Sequence, residues 1–274
     1  MTYSYEQVVW GQGTASVNWS APTAFRLRQA LKAISSLPAG SRVLEVGCGA
    51  GQFIRAIKQV RPELECVGAD ISEAALAKAR QYNDGVRYEK STDNFSDADN
   101  YYDAVLVFDV LEHVPSPAAM VNEIRRVLKP QGLFYFFVPC EGDYLSELYW
   151  LYKLKIIPAL SEKHAGHINH WSRRQWLGLF NQKFWHVERA RYSGHLFGQT
   201  SDVISFILMD RASRRDGSKQ MNNEEYHTKL EESVKFKNLF IFFKKLINTL
   251  LYFESWLFCR LPSSNLHVVV RKLL

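Results

Sequence analysis

From residue 20 to residue 138 two patterns alternate: short apolar runs closed by glycine, proline or aspartate, and longer stretches whose apolar residues recur at helical spacing. The short runs predict strands at Arg42–Val46, Glu65–Asp70, Val86–Lys90, Ala104–Asp109 and, after the Pro130-Gln131-Gly132 turn, Leu133–Val138. The longer stretches predict helices over Pro22–Ser36, with Ser20 as cap and Phe25, Leu27, Leu31 and Ile34 inward, and over Gln52–Val60. Two more follow at Ser72–Tyr82, with Glu73 in its first turn, and at Pro117–Leu128, opened by proline. Such alternation builds a parallel sheet covered by helices, an α/β fold. After Val138 the alternation breaks. The aromatic segment Tyr144–Leu160 reads as a lid, Arg173–Phe180 as a helix, and Phe184–Arg191 with Val203–Met209 as an antiparallel edge. Asp210–Glu232 is polar, as in a linker or exposed helix. From Phe236 to Arg260 the residues Leu239, Phe243, Leu246, Leu250, Phe253 and Leu257 make one helical stripe, opposite Lys237, Lys244, Lys245, Asn248 and Ser255. The chain therefore divides into an N-terminal cap and helix (1–36), a nucleotide-type domain (37–210, lid about 139–171) and a helical tail (211–274).

Composition excludes disorder and a disulfide scaffold: 47% of the 274 residues are hydrophobic and 23% charged. Cys48, Cys66, Cys140 and Cys259 lie far apart, and the first ten residues lack a secretory pattern, so a reduced, cytoplasmic protein is expected. The net charge of +6 belongs to the tail, where residues 211–274 carry twelve Lys/Arg against six Asp/Glu and residues 1–210 balance. Lys244 and Lys245, with Glu254 and Arg260, interrupt the apolar run well short of the ~20 residues that span a bilayer. It suits packing on the chain's own domain, a homodimer, or an anionic membrane surface met from the inner face.

The strongest chemical signal is Val43-Leu44-Glu45-Val46-Gly47-Cys48-Gly49-Ala50-Gly51, a buried strand entering three alternating glycines and a helix. Glycines let backbone N–H groups approach a ligand, and a helix N-terminus favours an anion. A dinucleotide fingerprint needs a small residue at position 52, which is Gln. Glu45 at the strand end, with N–H donors beyond it, suits a ligand bearing both ammonium and carboxylate. Asp70 closes the second strand, where its two oxygens suit ribose hydroxyls. Thr92 and Asp93, after the third strand, stand where adenine recognition is expected.

Together these residues resemble the class I S-adenosylmethionine (SAM) dependent methyltransferases. Tyr102-Asp103-Ala104-Val105 leads to Asp109-Val110-Leu111-Glu112-His113-Val114, and Leu128-Lys129-Pro130-Gln131-Gly132-Leu133 follows. Over residues 40–140 that order is similar to the family's first motif, ribose acid, fourth-strand motif and late turn. The D-V-L-E-H-V form is similar to the small-molecule branch that includes ubiquinone-biosynthesis O-methyltransferases, and Gly166-His167-Ile168-Asn169-His170-Trp171-Ser172 resembles a segment of that branch. The resemblance implies a doubly wound, mostly parallel seven-stranded sheet ending in a hairpin. It implies Gly47, Cys48, Gly49 and Gly51 along the methionine part of SAM, Glu45 near its ammonium, and Asp70 with Ile71 at the ribose. It also implies Phe108 or Asp109 beside the sulfonium.

Methyl transfer from a sulfonium is an in-line displacement, so the protein aligns the reactants and excludes water. For a hydroxyl acceptor a histidine can take the proton; His167 is the first candidate, being at the branch's histidine position, and His113 the second. His164, His167 and His170 invite a metal reading, but Gly166 and Asn169 argue for a loop and no cysteine completes a site, so no metal is expected. Nucleic acid is not expected either: Phe108-Asp109-Val110-Leu111 lacks the Pro-Pro-aromatic clamp of base methylation, and residues 1–210 offer no basic surface. The acceptor expected is a small molecule, a lipid or a lipid-linked sugar, methylated on oxygen. A SAM-fold adaptor without turnover and a nicotinamide oxidoreductase, disfavoured by Gln52, are the alternatives.

Overall fold

The computed structural model describes residues 9, 16–21, 24–91, 94–158, 160–215, 226 and 237–273. Strands β1 (Arg42–Val46), β2 (Glu65–Asp70), β3 (Arg87–Lys90), β4 (Tyr102–Phe108), β5 (Leu128–Pro139), β6 (Trp185–Ser193) and β7 (Asn265–Lys272) form one sheet in the order β3-β2-β1-β4-β5-β7-β6. The first five are parallel, while β7 runs antiparallel to β5 and β6 on either side of it.

The central strands are apolar throughout because both faces are covered. On β5, Phe134, Phe136 and Val138 pack with Ile124 of α4 (Pro117–Val127) and Trp176 of α7 (Arg173–Gly178). Leu133, Tyr135 and Phe137 point the other way, towards Leu27 of α1 (Phe25–Ala33), Ile54 and Ile57 of α2 (Gln52–Val60) and Leu76 of α3 (Glu73–Arg80). This is the alternation that a doubly wound sheet requires. Ser72 caps α3 and Ser116 caps α4 through their side chains, each accepting from the N–H three residues on.

Some expectations fail for physical reasons. Ser20 does not cap α1; its N–H and hydroxyl both donate to Asn18 Oδ1, and α1 begins at Phe25 without a side-chain cap. Pro22, the expected helix start, lies outside the described residues. Val203–Met209 is no strand but the middle of α8 (Leu196–Arg215), which buries Val203, Met209, Asp210 and Ser213 at helical spacing. The partner of β6 is instead β7, a β-branched run read with the tail. A short apolar run fits strand and helix alike until the sheet selects one. Of the expected linker, residues 216–225 and 227–232 lie outside the described set.

The lid forms α5 (Glu147–Lys153) and α6 (Leu160–His164). The tail forms α9 (Lys237–Phe258), but its apolar stripe is turned outward: Phe243, Leu246, Leu250, Phe253 and Leu257 are exposed, whereas Ser255 and Glu254 are buried. The side chains of Lys237 and Leu239 lie outside the described set. Packing of the stripe on the chain's own domain is therefore not its use. No helix among the described residues is long and apolar enough to cross a membrane.

Candidate active site

β1 enters α2 through Gly47-Cys48-Gly49-Ala50-Gly51. Gly47 and Gly51 have φ of +74° and +82°. A Cβ at Gly47 would strike Val110, and one at Gly51 would sit 2.5 Å from Tyr88 Oη, so only glycine fits either place. Gly47 N and Cys48 N donate to Ala69 O at 2.8 and 3.1 Å. Gly49 N donates to Asp70 Oδ2 at 2.7 Å, and Ser72 N to Oδ1 at 2.9 Å. The carboxylate expected at a ribose thus also braces the glycine loop; a carboxylate oxygen accepts more than one bond, so the two roles are compatible. Ile71 beside it is 61% exposed, an apolar surface at the end of β2. The Cys48 thiol is buried, and burial with the nearby Glu45 and Asp70 pushes its pKa well up, leaving only its backbone for a ligand.

Glu45 is 2% exposed and its Oε2 has no hydrogen-bond partner. Burial pushes its carboxyl well above the usual range, against a hydrogen bond from the Ile54 backbone. Gly51 at the N-cap of α2 offers no side-chain cap, and the Ile54 N–H of the first turn is held by Glu45. An acidic oxygen without a protein partner beside a glycine-lined helix N-terminus matches an amino-acid zwitterion, which is the end of SAM the sequence expects here. Thr92 and Asp93 lie outside the described residues.

At the end of β4 the Phe108 ring is buried against Phe53 and Tyr135, with centroids 4.7 and 5.4 Å away, so it presents backbone rather than side chain to the cleft. Asp109 follows with φ of +52°, a conformation sparsely populated outside glycine and common at functional turns. Its carboxylate pairs with Arg26 of α1. Arg26, which stacks over Phe137 at 4.9 Å, was not foreseen; only its place beside the predicted inward residues of α1 hinted at it.

The histidines gather beyond β5. Glu141 is 6% exposed; its Oε1 accepts from His167 Nδ1 at 2.7 Å, and its Oε2 accepts from His170 Nδ1 at 2.7 Å and from Ser161 Oγ at 2.8 Å. Burial alone would raise this carboxyl, but the two imidazoles outweigh it and hold it well below the usual range. Burial likewise would lower His167, yet Glu141, Glu112 and Asp109 bring it up to about 9. Burial draws His113 down to about 4, aided by His167, with its Nδ1 3.0 Å from Gly166 O. Glu112 is fully buried, neither oxygen has a hydrogen-bond partner, and burial next to Asp109 pushes it up to about 8. Ligand atoms of Glu112, His113 and His167 lie within 4.8 Å of one another, a grouping the sequence reading, which expected no metal, did not foresee. His164 belongs elsewhere: buried, 3.3 Å from Asp210, it ties α6 to α8.

Asn169 Nδ2 donates to Leu111 O at 3.0 Å and Val114 O at 2.7 Å, and Ile168 N and Asn169 N donate to Glu112 O at 2.9 and 3.0 Å. These bonds clip the post-lid loop onto the post-β4 loop. Asp202 of α8 is exposed and lies within electrostatic reach of Arg26, Asp109, Glu141 and Glu147.

A family model described as a methyltransferase domain matches residues 22–184. The chain belongs to that family. Its loop, strand order and acidic strand ends are those of the class I SAM-dependent methyltransferases. Among curated proteins, the ubiquinone biosynthesis O-methyltransferase of Alkalilimnicola ehrlichii is 39% identical over 103 residues, covering 35% of this chain and 41% of that protein. The protein of the same name from Hahella chejuensis is 35% identical over 134 residues, covering 45% and 55%. The chain thus spans about half the length of the curated relatives it matches. The cyclase SpnF superposes with a TM-score of 0.58 at 14% identity, over 90% of this chain and 81% of its own. MccD superposes with a TM-score of 0.55 at 15% identity, over 92% and 99%. These last two speak for the fold alone.

Proposed function

We propose that this chain transfers a methyl group from SAM to an oxygen of a small acceptor that is a lipid or is linked to one, working at the inner face of a membrane. One observation carries the reading: beneath a glycine-bent loop, the buried Glu45 keeps an oxygen that no protein group satisfies. Such an oxygen costs about 1–3 kcal/mol, which a fold kept only as an adaptor has no reason to retain. Bound SAM supplies a methyl group on a positively charged sulfur. Gly47, Gly49, Gly51 and Glu45 would hold its amino-acid end, Asp70 and Ile71 the ribose, Thr92 or Asp93 the adenine, and the backbone of Phe108 and Asp109 the reacting edge. Methylation of oxygen is supported by the names of the relatives that match the site-bearing part of the chain, ubiquinone biosynthesis O-methyltransferases.

Of the histidines, His170 suits a general base best. A carboxylate only accepts, so its Nδ1 carries the proton and donates to Glu141, leaving Nε2 as the basic nitrogen on a side chain 32% exposed. His167, with its pKa near 9, is an imidazolium at neutral pH and keeps Glu141 ionised rather than taking a proton itself. His113, near 4, is a weak base. The test is mass spectrometry of a membrane extract incubated with the chain and isotopically labelled SAM, with His170→Ala in parallel. A labelled lipid-soluble product is expected, with turnover down about 100-fold in the variant and SAM affinity unchanged. Absence of SAM binding by calorimetry would end the proposal.

A further inference from the structure

We infer that the outward face of α9, together with the start of α8, docks on an anionic lipid bilayer. A helix that merely completes a globular fold turns its apolar stripe inward. Here the arrangement is inverted. Phe242, Phe243, Leu246, Ile247, Leu250, Phe253, Trp256, Leu257 and Phe258 are 40–60% exposed along one helix. Polar groups fasten the C-terminal half of the helix to the body. Tyr252 Oη accepts from Arg28 Nη1 at 2.6 Å, and Cys259 O accepts from Tyr192 N at 2.8 Å. Glu254 accepts from Phe197 N at 2.8 Å and Gly198 N at 3.1 Å, closing the N-terminus of α8. That bond sets Leu196 and Phe197, each 66% exposed, beside the end of α9, and Leu261, 56% exposed, follows it. The apolar surface is therefore continuous across two elements and is far more than the scattered exposure of an ordinary surface.

Charge decides the occupant. Residues 211–274 carry twelve Lys/Arg against six Asp/Glu while residues 1–210 balance. A second copy would bring two equally basic tails together, whereas an anionic bilayer complements them. The face holds phenylalanine, leucine and tryptophan, residues suited to the boundary of headgroups and acyl chains, and α9 is about 33 Å long at 1.5 Å per residue, lying along the surface rather than through it. The docking does not depend on methyl transfer. Its consequence, that a lipid-borne acceptor is met close to the site, does rest on the function proposed above: α1 reaches α9 through Arg28 and the cleft through Arg26.

The experiment is co-sedimentation of the full chain with phosphatidylcholine vesicles, with and without phosphatidylglycerol, alongside Leu250→Glu/Phe253→Glu and calorimetric SAM binding by both proteins. Binding to the phosphatidylglycerol vesicles is expected, weakened by ~0.5 M salt and at least about tenfold weaker in the double variant, with SAM affinity equal in the two. No binding to anionic vesicles, or equal binding by the variant, overturns the inference. So does a dimer of the parent chain that the variant dissolves while neither binds vesicles. SAM binding is read separately, so its failure leaves the vesicle result standing and strikes only the methyltransferase reading.

Discussion

At the scale of single residues the site is governed by two buried acids treated in opposite ways. Burial pushes Glu45 towards its protonated form, outweighing the Ile54 N–H and the pull of Arg55. An ammonium brought against its open oxygen favours the ionised form. SAM binding should therefore release a proton, visible as a heat that changes with the ionisation enthalpy of the buffer. Glu45→Gln should bind about 10–100-fold more weakly and show no such dependence; an unchanged dependence in the variant would remove Glu45 from the site. Glu141 has two imidazoles and is ionised. Because His167 is raised in the folded chain from about 6.5 to about 9, its contribution to stability is complete below pH 6.5 and is lost as pH rises through about 9. Glu141, held low, contributes above its ordinary pKa and is lost on acidification. Resistance to denaturant should thus weaken on both sides of neutrality. His167→Gln should flatten much of the alkaline slope, although Glu112, raised to about 8, leaves part of it.

At the scale of elements, the cleft is made by loops that meet only after folding. The loop after β4 is short, and Asn169 fixes it through an amide that donates to two of its carbonyls from a loop 55 residues or more along the chain. Asn169→Ala removes both bonds. The expected cost is about 2 kcal/mol, or ~5 °C in melting temperature, with turnover reduced as well. A thermal melt within 1 °C of the parent's, roughly the effect of a neutral surface change, would show that the clip is not what orders the loop. The lid is held in the same way, by Tyr152 Oη on Ser161 and by Glu147 N on Gln199 Oε1 at 2.7 Å.

At the scale of the molecule, the chain does not fall into a domain with a disposable tail. β7 comes after α9 yet lies between β5 and β6, and its His267 is buried between Tyr135 Oη at 2.9 Å and Ser193 Oγ at 2.8 Å. Burial, with help from Arg26, brings this imidazole down to about 3, so it is neutral and serves as a hydrogen-bond link. Deleting residues 261–274 should strip β5 and β6 of their shared partner and abolish the cooperative unfolding transition and SAM binding together. A shortened chain that still melts cooperatively would mean the sheet closes without it.

The sequence by itself determined what is local. Strands β1, β2 and β4, the cap at Ser72, the glycine turn and the acids at its rim follow from apolar period, capping chemistry and positive φ, all of which act within a few residues. The tertiary structure decided what depends on distant partners. Val203–Met209 became helix because β7 had taken the place beside β6. The outward turn of α9 arose because Glu254 and Tyr252 found polar partners inside. Arg26 met Asp109, and the His170 ring stayed more exposed than that of His167, with a carboxylate from beyond the end of β5 accepting from both. Pairings across tens of residues leave no period in the chain; only the packed sheet brings them into contact.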